Sequence, residues 1–171
     1  MTLPTGVQAV SENNYGRPNE AYLLLKKMLK SFSFALPGSI YEVSPDFGMF
    51  SQAWNMYAFG EPIIKQFFGI RPEAYQKTIT VSPLLPTKLT YGKIEKVAIG
   101  NNEFSLSYSQ NLNSDSYKLS QKLAIWKIVF TQSKGKYSKW VLNGKQVKPK
   151  IVADLEVVEF YGKVNELVLI K

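Results

Sequence analysis

Gly48-Met-Phe-Ser-Gln-Ala-Trp-Asn-Met-Tyr-Ala-Phe-Gly-Glu-Pro-Ile-Ile-Lys-Gln-Phe-Phe-Gly-Ile-Arg-Pro-Glu-Ala-Tyr-Gln-Lys-Thr-Ile-Thr-Val81 is the stretch in which the chain changes its period. From Gly48 to about Phe59 it reads as a helix. Gly60-Glu61-Pro62 interrupts the pattern, Pro62 can open further turns through Phe68, and Gly69 is a natural stop. After Arg71–Tyr75, the run Lys77–Val81 alternates, as a half-buried strand does. The fold class read from this change is α+β, with helices first and strands after. Residues 48–68 are apolar nearly all round, with Met49, Phe50, Trp54, Met56, Tyr57, Phe59, Ile63, Ile64, Phe67 and Phe68 among them. A helix of that kind needs neighbours on every side. The few helices in this chain cannot supply them, so partner helices are expected elsewhere.

Upstream, residues 21, 22, 24, 25, 28, 29, 32 and 34 are apolar and Lys26, Lys27 and Lys30 lie opposite. That is an amphipathic helix from Ala21 to Phe34, started by Pro18 and stopped by Pro37-Gly38. Residues 7–14 form a shorter one. Downstream, strands are expected at Gly92–Ile99, Glu103–Gln110, Lys118–Thr131, Lys136–Leu142, Lys145–Val147, Ile151–Phe160 and Glu166–Ile170. Hairpin turns fall at Gly100-Asn101-Asn102 and Asn143-Gly144, with loops at Asn113-Ser114-Asp115 and Ser133-Lys134-Gly135. Short strands at this spacing indicate an antiparallel β-sandwich. Two domains are expected, 1–75 helical and 76–171 β.

Composition removes several chemistries. The 171 residues include neither cysteine nor histidine. Disulfides, thiol catalysis, Ser-His-Asp triads and histidine-based zinc sites are excluded. Acid–base work falls to carboxylates, Tyr or Lys. No metal and no cofactor is expected. No run reaches the roughly 18 apolar residues of a membrane span, and Thr2-Leu3-Pro4-Thr5-Gly6 does not read as a signal peptide. The compartment is left open and no membrane is expected as a partner. The net charge of +8 resides in residues 76–171 and is almost all lysine, with Arg only at positions 17 and 71. Scattered lysines suit the edges and outer face of a sandwich better than a nucleic-acid surface, which favours arginine.

The loop before Gly48, Ala35-Leu-Pro-Gly-Ser-Ile-Tyr-Glu-Val-Ser-Pro-Asp-Phe47, carries Glu42 and Asp46 into an aromatic helix. Carboxylates beside Trp and Tyr are the usual wall of a sugar site. Glu42 suits a general base that activates water, or else a solvated loop charge or helix cap. Asp46 suits an N-cap of the following helix, or a group that hydrogen-bonds sugar hydroxyls. Trp54 and Tyr57 read as core, with stacking on a sugar ring as the alternative for Trp54. Gln8, Glu12 and Asn13 form the polar side of the first segment.

This loop and helix, together with Met1-Thr-Leu-Pro-Thr-Gly-Val-Gln-Ala-Val10 and Phe67-Phe-Gly-Ile-Arg-Pro72, resemble the segment that closes the active site in six-hairpin, (α/α)6-toroid glycosidases of the glycogen-debranching and rhamnosidase types. The resemblance implies that residues 1–75 are the last helices of a toroid and that the β-sandwich trails it. It implies an oligosaccharide substrate with α linkages and an inverting, two-carboxylate mechanism. Glu42 in Tyr41-Glu42-Val43-Ser44-Pro45-Asp46 would be the base. Asp46, Trp54 and Glu12 would contact sugar. The general acid of that family comes from a much earlier hairpin, and nothing in this chain matches it. The chain is therefore expected to be the C-terminal portion of a glycoside hydrolase, inactive alone, whose missing N-terminal toroid portion lies on a longer protein or on another chain. The alternative is a non-catalytic carbohydrate-binding or interaction module.

Overall fold

Pro18 and Glu20 begin one helix, and Lys26 and Lys27 fall in its last turn, so each charge complements the dipole of the end it occupies. This is α2 (Pro18–Leu29), and it buries Ala21, Leu25 and Met28 at helical spacing. It follows α1 (Thr2–Asn14), which packs against both α2 and α3 (Ala53–Gly60). The computed structural model describes residues 2–34, 36–43 and 47–171. It divides into two units, Met1–Gly69 with Leu84–Lys88 and Ile70–Pro83 with Leu89–Lys171.

In the helical unit α1 and α3 meet through small residues. A Cβ added to Gly6 would stand 2.2 Å from the Cβ of Ala58, and Ala9 and Ala58 are fully buried. After Gly60 the helix widens. Glu61–Phe67 forms π-helical turns, in which the Phe68 N–H donates to the Ile63 carbonyl at 2.9 Å. Pro62 has no N–H to give an α ladder, which suits a local change of winding. Gly69, at φ +68, closes the segment.

Two helix boundaries differ from the sequence pattern. α2 ends at Leu29, not near Phe34. The Ser31 hydroxyl donates to the Met28 carbonyl, Ser33 turns to φ +57, and Phe32 and Phe34 on either side of it stay exposed. α3 starts at Ala53, not Gly48. Gly48 has φ +78, outside the right-handed helix, and Gln52 occupies the N-cap position in extended conformation.

The β unit contains two sheets. One runs β1 (Ile70–Glu73), β2 (Thr78–Val81), β6 (Lys127–Ser133), β10 (Leu155–Phe160) and β9 (Lys150–Val152). The other runs β3 (Tyr91–Ile99), β4 (Asn102–Gln110), β5 (Ser114–Gln121), β11 (Val164–Ile170), β7 (Lys139–Leu142) and β8 (Lys145–Val147). All pairings are antiparallel except β2 with β6, which is parallel. The sheets meet through aromatic side chains. Tyr117 on β5 and Phe130 on β6 have ring centroids 4.8 Å apart, and Phe130 lies 6.0 Å from Trp140 on β7. A sandwich-like packing is what these contacts describe.

The expected runs Lys118–Thr131 and Ile151–Phe160 are each split in two, by residues 122–126 and by a turn at Ala153 (φ +52) with Asp154. Ser114 and Asp115, expected in a loop, begin β5. The Asn143-Gly144 turn is as expected, with φ +50 and +78, the signature of a type I′ hairpin. Among the described residues no helix is long and apolar enough to cross a membrane.

Candidate functional site

Glu42 sits on one arm of a small two-armed loop. The Ile40 N–H donates to the Phe50 carbonyl at 3.1 Å and the Glu42 N–H to the Met49 carbonyl at 2.9 Å. Val43 and Phe47 exchange both of their backbone bonds. The arm is anchored from two sides. The Thr2 N–H donates to the Glu42 carbonyl at 3.2 Å, and the Thr2 hydroxyl to the Tyr41 carbonyl at 2.8 Å. The fully buried Asn55 on α3 donates to the Ile40 carbonyl at 3.0 Å. Both peptide groups of Glu42 are thus held by hydrogen bonds.

The side chain is positioned as firmly. Gln52 donates its amide N–H to Glu42 Oε2 at 3.1 Å. A Cβ on Gly48 would stand 2.9 Å from the same oxygen. Gly48 therefore serves twice, by its positive φ and by leaving room for the carboxylate. Glu42 remains half-buried, and among the described residues Gln52 is its one side-chain hydrogen-bond partner. A fixed carboxylate with free lone pairs can accept a proton from a bound water, which is what a general base requires.

The other residues singled out by sequence fare differently. Trp54 and Tyr57 are 49% and 43% exposed, so the core reading fails for both. The buried face of α3 is formed by Asn55 and Ala58 instead. Phe47, Met49 and Phe50 on the loop and Met56 on α3 are exposed as well. The Glu42 loop is thus set among uncovered aromatic and thioether side chains. Glu12 pairs with Arg17 Nε at 2.6 Å, and the Arg17 N–H donates to the Glu12 carbonyl. Glu12 lies ten residues along α1 from Thr2, a rise of about 15 Å, so α1 does not bring it beside Glu42. Asp46 lies outside the described residues. The helix it was expected to cap begins at Ala53.

Sequence reasoning missed the anchors. Thr2, Gly48, Gln52 and Asn55 act by contacts made only in the folded chain. Asn13, read as part of a polar side, is buried and donates to Gln66 Oε1 at 2.8 Å. Gln66 donates in turn to Asn14 and to the Val10 carbonyl. This network ties α1 to the π-helical turns.

Among the described residues, the groups with shifted pKa values are all in the β unit. Asp115 is 3% exposed. It accepts the Tyr137 hydroxyl on Oδ2 at 2.5 Å and faces Lys171 Nζ at 2.7 Å from Oδ1. Burial, and then Asp115, raises the Tyr117 phenol above its ordinary value. Burial, and then Tyr117, raises that of Tyr137. Burial lowers the Lys136 ammonium, against the opposing pull of Asp115. The Lys171 backbone N–H also donates to the Asn113 carbonyl, so the cluster fastens the end of β11 to the start of β5.

No family model and no curated protein matches the chain. Among solved structures, the α-L-rhamnosidase from Dictyoglumus thermophilum superposes with a TM-score of 0.65 at 14% identity, over 94% of this chain and 20% of that one. The Streptomyces avermitilis α-L-rhamnosidase complexed with L-rhamnose superposes with a TM-score of 0.59 at 12% identity, over 92% of this chain and 16% of that one. The chain shares its fold with a part of these glycoside hydrolases and spans a fifth or less of their length.

Proposed function

We propose that the chain is the C-terminal portion of an inverting glycoside hydrolase acting on α-linked oligosaccharides. Glu42 deprotonates the attacking water. An acid outside this chain, on the missing portion of an (α/α)6 toroid, protonates the glycosidic oxygen. The two carboxyl groups of such a pair stand roughly 6.5–9.5 Å apart, which leaves room for the water. The observation that carries this reading is the pinned, half-exposed carboxylate of Glu42 beside an uncovered aromatic face. Further support comes from a fold held in common with part of two α-L-rhamnosidases. We take α-L-rhamnosides as the first substrate class to try, with debranching-type α-glucosides as the rival. The exposed Trp54 would stack on a sugar ring, and Asp46 and Glu12 remain candidates for contact with hydroxyls. The other exposed apolar side chains of α3 and the Glu42 loop would be covered by helices of the missing portion.

The test is to assay p-nitrophenyl α-L-rhamnoside and α-glucoside with this chain alone and joined to the polypeptide that completes the toroid. Activity is expected only in the completed protein. Glu42→Gln should then lower kcat by about 10²–10⁴ with little change in KM. A completed enzyme that keeps its turnover with Glu42→Gln removes Glu42 from the mechanism.

A further inference from the structure

The second sheet of the β unit has a trough on its outer face, and strand register creates it. β4 and β5 pair Ser105 with Ser120 and Ser107 with Lys118, and β3 and β4 pair Lys93 with Ser107. Side chains alternate across a strand. Phe104, Leu106, Tyr108, Tyr117 and Leu119 therefore enter the core, while the residues between them face out. The trough has a volume of about 330 Å³ and is lined chiefly by Tyr91, Lys93, Glu95, Ser105, Ser107 and Lys118. Sites for small ligands start near this size, at roughly 300 Å³.

Its depth comes from contrast in side-chain length. The floor consists of short hydroxyls. One wall carries Tyr91, 64% exposed, and the Lys93–Glu95 ion pair at 2.8 Å. That wall is shaped by an extra residue in β3, where the register shifts between Ile94 and Val97. Lys96 takes φ +56 there, and its N–H donates to the Ser105 hydroxyl oxygen at 3.0 Å. Such bulges re-aim neighbouring side chains and recur beside binding sites. Lys93 is neutralised by Glu95. Lys118 has no ion pair within 4.0 Å among the described residues, and Glu166 stands opposite it on β11.

We propose that this trough binds an extended oligosaccharide in which at least one ring carries a carboxylate. A ring face packs on Tyr91, ring hydroxyls exchange hydrogen bonds with the serine floor, and the carboxylate pairs with Lys118. A row of hydroxyl groups that both donate and accept suits a polyhydroxylated ligand. A single ammonium with no carboxylate within 4.0 Å suits one ligand carboxylate, whereas a nucleic-acid strand calls for a line of cations along its phosphates. The site uses no catalytic residue and does not depend on Glu42.

Calorimetric titration of the full chain with three probes tests this: an oligogalacturonate hexamer, maltohexaose and an oligothymidylate. The oligogalacturonate should bind, and Lys118→Gln and Tyr91→Ala should each weaken it by about tenfold. Ser107→Tyr, which fills the floor, should abolish it. All three positions face solvent, so unchanged melting curves verify that the variants are folded. No binding by the oligogalacturonate overturns the proposal. So does equal binding of maltohexaose with no effect of Lys118→Gln. Oligothymidylate binding that responds to the same substitutions overturns it in favour of general polyanion attraction.

Discussion

Gly6→Ala should destabilise the helical unit, although helix propensity alone argues for the reverse. In a helix interior alanine is favoured over glycine by about 0.8–1.0 kcal/mol. At Gly6 the added Cβ would stand 2.2 Å from the Ala58 Cβ and 2.6 Å from its Cα. Carbon atoms in contact sit about 3.5–4.0 Å apart, so α1 and α3 would have to separate by about 1.3 Å or more. The obstacle is a methyl group and backbone, neither of which has a rotamer to change. Overpacking costs about 1–3 kcal/mol, and the rigid neighbour places this case at the upper end. The net expectation is a loss of about 2 kcal/mol, roughly a thirtyfold fall in the folding equilibrium. Gly60 is the internal control. It ends α3 in helical conformation, and nothing lies within 4 Å of its added Cβ. Gly60→Ala should stabilise by about 0.5–1 kcal/mol. Urea unfolding followed by circular dichroism at 222 nm reports the helices directly. A Gly6→Ala midpoint raised as far as that of Gly60→Ala would refute the close approach of α1 and α3.

Tyr137→Phe removes a hydrogen bond to the buried Asp115 carboxylate and should cost about 1.5–3 kcal/mol, read from thermal unfolding by near-ultraviolet circular dichroism. The same cluster sets an alkaline limit. Tyr117 and Tyr137 have folded pKa values raised above the ordinary 10.0, so they stabilise the fold below that pH and lose this contribution as pH rises past it. Stability should hold to about pH 10 and then fall, less steeply in Tyr137→Phe, and absorbance at 295 nm should show two phenols ionising only on unfolding. Trp54→Ser should change the unfolding free energy from urea titration by no more than about 0.5 kcal/mol, because the ring is half-exposed, whereas a core tryptophan would cost about 3–5 kcal/mol. The same substitution should reduce self-association, measured by light scattering after size exclusion.

The α+β class and most strands could be read from the sequence because they follow from period and turn chemistry. Lys145–Val147 and the Asn143-Gly144 hairpin are local features with local signals. The boundaries that escaped were set by contacts or conformations without such signals. Ser33 turns the chain at φ +57 and ends α2 early, though serine is not a residue that announces a left-handed turn. Ala153 does the same between β9 and β10. At the candidate site, Glu42 could be singled out from the sequence because a carboxylate in a Pro/Gly loop before aromatics stands out, and its role there is a proposal. Its supports could not be singled out, because Thr2, Gln52 and Asn55 meet the loop only through folding. The apolar surround of residues 48–68 signalled that something must cover them, and composition alone placed Trp54 inside. The structure leaves it outside because Asn55 and Ala58 fill the face turned to α1 and the loop.

The parallel pairing of β2 with β6 has a consequence for how the β unit acquires its structure. Thr78 pairs with Lys127, forty-nine residues on, and the intervening chain belongs mostly to the other sheet. β3, β4 and β5 form a meander of local hairpins, whose closure costs little chain entropy. They can assemble as each strand leaves the ribosome. β2 has to wait, with one edge unsatisfied, until the whole meander and β6 have been made. Sheets closed by distant parallel partners fold slowly. The outer trough between β3 and β5 therefore rests on local pairings, whereas the sheet that begins at Ile70 depends on a partner forty-nine residues away.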